Sequence, residues 1–359
     1  MLDFNPSGKF TLLSIDGGGM RGLLALNMLA YLEKATGQPL YELFDMVAGT
    51  STGAIIAAGI ALKLTAKEII HIYYDDIATE FRGGRGCWPR LNWLLHGMRH
   101  FYEIKPFIDA LKAYAGHRRL GDLGMPGTND HPYRKPIVLF TTKDLRTGNT
   151  YYLVNEGPGA TMFSTWPVMG AVAASAAAPI YFPPVLGNLI DGGAGVFGNP
   201  SQAAAIELAT YIGVAPEQVM HISLGTGHIP SNREDGEGSR FNIFNWLQYL
   251  ISSSIEESAL QQALATRAIY PQSDFRRYNV SLQPHHLQED LAIDLNGVNP
   301  LQLNLDVSGT KELDLLSRIG WAYAEAIDWT QPNLMPWDTL GGRHRPEQKD
   351  LDWSGSIFV

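Results

Sequence analysis

The chain has 359 residues, 45% of them apolar and 18% charged, and its 27 lysines and arginines against 36 aspartates and glutamates leave a formal charge of −9 at neutral pH. That length fits about two domains or one large α/β unit, and the apolar share excludes a disordered chain. A single cysteine, Cys87, excludes an internal disulfide and any zinc site built from several thiolates. The acidic balance argues against a protein that tracks along nucleic acid, and against simple electrostatic docking on anionic lipid.

In chain order, Phe10–Ile15 reads as a short strand broken by Asp16-Gly17-Gly18-Gly19, after which Leu23, Leu26, Leu29, Ala30 and Leu32 recur at helical spacing up to Gly37. The same unit follows at once: a strand over Leu43–Ala48, a tight turn over Gly49–Gly53 and a small-residue helix over Ala54–Leu62. Two successive strand–turn–helix units predict a parallel sheet covered by helices, a three-layer α/β/α arrangement. Thr65 is placed to cap a third helix reaching about Phe81. Arg82–His100 is irregular, helical spacing returns in Ile104–Ala115, and Gly121–Lys135 reads as a loop.

Strands are expected at Pro136–Thr142 and Thr150–Val154 around the turn Arg146-Thr147-Gly148-Asn149, then an alanine-rich helix over Val168–Pro179 and a strand over Leu186–Ile190. A helix near Gln202–Tyr211 and a strand over Val219–Leu224 precede a polar loop, Ser231–Ser239, which is the best proteolysis candidate. The spacing predicts a helix over Asn242–Ala268, a strand over Phe275–Leu282 and a last helix over Lys311–Ile327. No internal repeat and no clean linker is visible, so one domain over 8–328 with a tail over 329–359 is expected. No uninterrupted apolar stretch reaches the roughly 20 residues that cross a bilayer, and Met1–Lys9 lacks the apolar core of a secretory signal, so a soluble cytoplasmic protein is expected.

Gly49-Thr50-Ser51-Thr52-Gly53 fits G-x-S-x-G between a strand and a helix. A nucleophile elbow needs small flanking residues because the turn is strained and neighbouring backbones come close. Such a turn raises a serine hydroxyl at the carboxyl end of the sheet, beside amides at a helix N-terminus that stabilise developing negative charge. Asp16-Gly17-Gly18-Gly19-Met20-Arg21-Gly22 occupies the neighbouring turn and offers successive unhindered amides, which suits an oxyanion hole. The rival reading is a nucleotide cradle, since Gly17–Gly22 loosely matches G-x-G-x-x-G. However, the nearest acid, Asp45, lies inside the second strand, and no Gly-Lys-Ser/Thr is present.

The proton acceptor is open at this level. His228 follows Gly227 and is the one reasonable histidine for a Ser-His-Asp triad; His221 lies in a buried strand, and His285, His286 and His344 read as loop residues. Asp191-Gly192-Gly193 follows an apolar strand and leads to Asn199-Pro200, offering a carboxylate that accepts the serine proton directly.

Taken together, the Asp16–Gly22 run, Gly49–Gly53, Ser175–Pro179 ahead of Tyr181-Phe182, Asp191-Gly192-Gly193 and Ser223-Leu224-Gly225-Thr226-Gly227 resemble the patatin-like phospholipase family over about Phe10 to Ala326. The resemblance implies a patatin-type α/β fold and hydrolysis of acyl esters of glycerolipids by a Ser-Asp dyad without metal or cofactor. By motif position it implies Ser51 as nucleophile, Asp191 as base and Gly17, Gly18 and Gly19 lining the oxyanion hole, with Gly22, Gly49, Gly53, Gly192 and Gly193 as motif glycines. One departure is visible: Val172-Ala173-Ala174 lacks the arginine that relatives often carry before Ala-Ala-Pro. An ordinary aspartate, with a pKa of about 3.9, is a poor base near neutrality, so burial by Ile190, Val196 and Phe197 is expected to raise Asp191.

A membrane phospholipid substrate and peripheral membrane contact follow from the same resemblance. Trp88–Tyr102, with Trp88, Trp93, Leu94, Leu95, Met98, Phe101 and Tyr102 among Arg90, His96, Arg99 and His100, suits either an interfacial segment or a helical insertion packed on the core. Phe241–Ile251, with Phe244, Trp246, Leu247 and Leu250, is a second candidate for such an interfacial segment and reads better as core, and Arg21 reads equally as a lipid-phosphate ligand or a tie to an acidic neighbour.

Overall fold

Seven strands form one sheet: β1 (Phe10–Ile15), β2 (Met46–Gly49), β3 (Ile137–Asp144), β4 (Thr150–Val154), β5 (Leu189–Asp191), β6 (Val219–Leu224) and β7 (Asp274–Tyr278). The computed structural model describes residues 1–83, 100–128, 132–229 and 237–331. The strand order is β4-β3-β2-β1-β6-β7, with β5 paired to β3 off that path. β1, β2, β3, β6 and β7 run parallel, and β4 and β5 run antiparallel to β3.

Both faces of the sheet are covered, which is why its central strands are buried without alternation. Successive side chains point to opposite faces. Leu13, Ile15, Val47, Val138 and Phe140 pack in one core with the helices Gly22–Thr36, Thr52–Ala61, Val168–Ala176 and Thr310–Ala326. Leu12, Met46, Ala48, Ile137 and Leu139 face a second core with Ala203, Ala204 and Leu208. The expected three layers are present.

Local signals placed most elements. Thr65 caps the next helix through a reciprocal box with Glu68, and Gly37 closes the first helix in the left-handed conformation at φ 68°. The third helix runs on from Ala66 to Gly83 through a wider turn over Ile72–Ile77. The apolar run expected as strand Leu43–Ala48 is shared instead between a helical turn, Leu40–Leu43, and β2, because periodicity cannot assign a short buried run. The Val168–Ala176 helix ends ahead of Pro179, whose ring disfavours helix in the residue before it. The expected strand Leu186–Ile190 shrinks to Leu189–Asp191: Leu186 and Gly187 turn at φ 51° and 77°, and Leu186 stands in solvent.

The packed body reaches past 8–328 at both ends. Phe4 rests on Phe44, and Trp329 is buried against Tyr278 with its indole nitrogen donating to the Ala324 carbonyl. Trp88–Arg99, most of the Ser231–Ser239 loop and residues 332–359 lie outside the described residues.

Candidate active site

β2 leaves the sheet at Gly49, opposite Phe140, while β3 continues to Asp144. β4 already occupies the other edge of that extension, pairing Tyr151 with Thr142. β5 therefore runs back along the edge that β2 vacates, with Asp191 opposite Thr142. In this way the topology brings a carboxylate from the middle of the chain beside the turn where β2 becomes a helix.

Ser51 sits in that turn at φ 56°, ψ −121°, immediately before the Thr52–Ala61 helix. A non-glycine residue there carries on the order of 1–3 kcal/mol of strain and persists only when its surroundings fix it. They do. The Ser51 amide donates to Ser175 Oγ (3.0 Å), and Thr50 Oγ1 is 2.7 Å from Thr141 Oγ1. A Cβ on Gly49 would lie 2.2 Å from the Gly53 carbonyl, and one on Gly53 would lie 2.2 Å from the Ile15 carbonyl oxygen, so neither position accepts a side chain.

The glycine run passes close by. A Cβ on Gly17 would stand 3.3 Å from Ser51 Cβ. The Gly17 amide is taken by the Gly198 carbonyl (2.8 Å) and its carbonyl accepts from Thr226 Oγ1 (2.9 Å), whereas the amides of Gly18 and Gly19 have no partner among the described residues. Gly19 has φ 55°, and a Cβ there would fall 2.1 Å from the Leu305 carbonyl oxygen, the atom that accepts from the Met20 amide. Gly19→Ala is therefore expected to cost on the order of 3 kcal/mol, read as a lowered thermal unfolding midpoint. Gly22 and Gly192 sit against the side chains of Thr52 and Thr141.

Asp191 is 1% exposed. Its Oδ1 accepts from the Gly193 amide (2.7 Å), and its Oδ2 is buried without a hydrogen-bond partner among the described residues. Burial pushes the carboxyl up to about 6, against the opposing pull of the Ser51 hydroxyl and the Gly193 amide. The Ser51 hydroxyl therefore lies beside the carboxyl without a formed hydrogen bond to Oδ2. The source of burial differs from the expectation. Val196 is 55% exposed and Phe197 stacks edge-on with Tyr152 in the second core, while Asp191 itself is held in the sheet by its register with Thr142 of β3 and by its amide donating to the Ala177 carbonyl.

The histidines fall elsewhere. Among the described residues no hydrogen bond or ion pair brings a histidine to Ser51. His228 is half-exposed, with Nδ1 3.9 Å from Glu256 Oε2. His221 is a core residue as expected, bonded through Nε2 to Ser14 Oγ (2.9 Å), and burial takes its pKa down to about 3, so it stays neutral. His228→Ala is expected to leave ester turnover within about threefold of the parent, since a base removal typically costs about 100-fold or more. Arg21 resolves toward the acidic neighbour: it is buried and pairs with Glu256 at 2.9 Å.

The sequence reading missed Ser175 as the clamp on the elbow, Thr226 on the Gly17 carbonyl, and Arg277 behind Asp16. For Arg277 a signal existed, because two adjacent arginines, Arg276 and Arg277, interrupt an otherwise strand-like run.

A family model described as patatin-like phospholipase matches residues 13–204, just over half of the chain. The chain belongs to the patatin-like phospholipase family. This patatin-like chain is 32% identical over 210 residues to the 85/88 kDa calcium-independent phospholipase A2 of Mus musculus, covering 56% of this chain and 24% of the relative. It is 28% identical over 269 residues to a cGAMP-activated phospholipase of Pseudomonas aeruginosa, covering 71% of this chain and 75% of that one. It is 27% identical over 337 residues to the human calcium-independent phospholipase A2-gamma, covering 88% of this chain and 38% of the relative. Against the mouse and rat enzymes and a phospholipase of Arabidopsis thaliana, the matched part is about a quarter of the relative's length.

Proposed function

We propose that the chain is a lipid acyl hydrolase that cleaves carboxylic esters of glycerophospholipids through an acyl-Ser51 intermediate, with Asp191 as the only proton acceptor. The observation that carries this reading is a serine held in a strained elbow beside a buried carboxylate whose Oδ2 has no hydrogen-bond partner among the described residues. Ser51 Oγ attacks the ester carbonyl carbon as its proton passes to Asp191. The amides of Gly18 and Gly19, unpartnered among the described residues, receive the oxyanion; the Gly17 amide is engaged by Gly198, so Gly17 contributes clearance beside Ser51 instead of a donor. Collapse of the tetrahedral intermediate expels the alcohol, which takes the proton from Asp191. A water then gives its proton to Asp191, attacks the acyl-serine, and the proton returns to Ser51. The mechanism uses no metal and no cofactor.

Contact with a phospholipid surface is part of the proposal. Phe101, Trp246 and Leu250 are exposed, which corrects the core assignment of the Phe241–Ile251 segment for the last two. No described helix is long and apolar enough to cross a membrane.

Because the acceptor must be ionised, kcat/KM is expected to fall about tenfold per pH unit below about 6, the pKa to which burial raises Asp191. A rate profile flat down to pH 4 would contradict the role given to this carboxylate. The decisive test is labelling by a fluorophosphonate followed by peptide mapping. The probe is expected on Ser51, and a protein that ignores it, or carries it elsewhere, overturns the reading.

A further inference from the structure

The oxyanion loop is three glycines long and has little stiffness of its own, so its position is set by what grips its ends. Its first residue, Asp16, ends the β1 run and is buried. Arg277 on β7 reaches across β6 to it with both ends of the guanidinium, Nη1 to Oδ1 at 2.8 Å and Nη2 to Oδ2 at 2.5 Å. A planar fork on a carboxylate fixes direction as well as distance.

The same guanidinium also grips the other half of the site. Arg277 Nη1 donates to Ser223 Oγ (3.0 Å), which also accepts from Asn199 Nδ2 (2.9 Å). Asn199 follows Gly198, the residue whose carbonyl holds the Gly17 amide, and both lie on the loop that begins at Asp191. One buried cation thus ties the loop carrying the oxyanion donors to the loop carrying the base. It lies beyond residues 13–204, outside the segment that the family model matches.

We infer that Arg277 is a positioning residue for acyl transfer: through Asp16 on one side and Ser223–Asn199 on the other, it sets the spacing between the Gly18 and Gly19 amides and the Ser51–Asp191 pair. It touches no reacting atom. This rests on the function proposed above. Oxyanion donors must be aimed at the transition state, and losing one costs about 100- to 1000-fold in kcat. Displacing the loop therefore lowers kcat and leaves KM nearly unchanged.

The test uses the full chain and a soluble p-nitrophenyl acyl ester, with kcat expressed per folded molecule from the unfolding curve. Arg277→Met strips the buried Asp16 of its ion-pair partner and risks misfolding, so the deciding variant is Asp16→Asn with Arg277→Met, in which neither charge remains. That double variant is expected to unfold cooperatively, with kcat lowered about 100-fold or more and KM within about twofold of the parent. Arg277→Lys, which keeps the charge but not the fork, is expected between the two, about tenfold below the parent in kcat. A double variant whose kcat per folded molecule lies within threefold of the parent overturns the inference, as does a loss carried by KM alone. Fluorophosphonate labelling of the parent protein at Ser51 separates the two levels: if it fails, the proposed function has failed; if it succeeds and the double variant is fully active, only the role of Arg277 has failed.

Discussion

Asp191→Asn is expected to lower kcat/KM for a phospholipid ester by about 100- to 10,000-fold and to raise the stability of the protein at pH 8. The two effects have one cause. Burial lifts the Asp191 pKa to about 6 from the ordinary aspartate value of 3.8, which makes the carboxylate a usable base near neutrality. The folded chain consequently holds a proton there that the unfolded chain releases between about pH 4 and 6. Stability from this group is therefore largest below pH 4, declines as pH rises to about 6, and is then flat at its lowest value. A difference of about two pKa units corresponds to at most about 3 kcal/mol.

Asparagine keeps the acceptor for the Gly193 amide and removes the charge, so its gain appears at pH 8 and shrinks toward pH 4. Urea unfolding at both values checks this, alongside the ester assay. A variant retaining a third of parental activity would remove Asp191 from the mechanism. A variant equally destabilised at both pH values would show that burial of charge is not what shifts the carboxyl.

Ser51→Ala is expected to abolish fluorophosphonate labelling and to cut turnover by at least about 10,000-fold, the loss that removing the nucleophile causes in serine hydrolases. Ser51→Gly is expected to be equally inactive and, in addition, more stable than Ser51→Ala by about 1 kcal/mol, because glycine takes the positive-φ elbow without strain. The comparison of the two inactive variants isolates the strain from the chemistry. Equal stability of the pair would mean that the elbow stores none. Normal esterase turnover by either variant would end the acyl-serine mechanism. The pattern in both predictions is the same: groups placed for reaction are placed at a cost to the fold.

Local chemistry made several parts of this protein legible in its sequence. The two strand–turn–helix units, the Thr65 cap, the Gly37 stop and the G-x-S-x-G elbow each depend on backbone and side-chain rules that act over a few residues. A glycine run or a capping box carries its meaning wherever it falls. The strand-end motif Asp191-Gly192-Gly193 was likewise readable as a candidate acid. What was not readable is where it lands. Its approach to Ser51 depends on β5 filling the edge of β3 that β2 leaves, a consequence of strand order.

Burial went astray for the same reason. Val196 is five residues from Asp191 in the chain yet exposed, while Ala177 and Thr142, distant in the chain, are neighbours of Asp191 through backbone bonding and strand pairing. The Asp16–Arg277 pair spans 261 residues, so no window on the chain contains both partners. Turn geometry and helix caps are set by neighbours along the chain, and the sequence by itself determined those. Desolvation and ion pairing are set by whatever the folded chain brings within a few ångströms, and only the tertiary structure decided them.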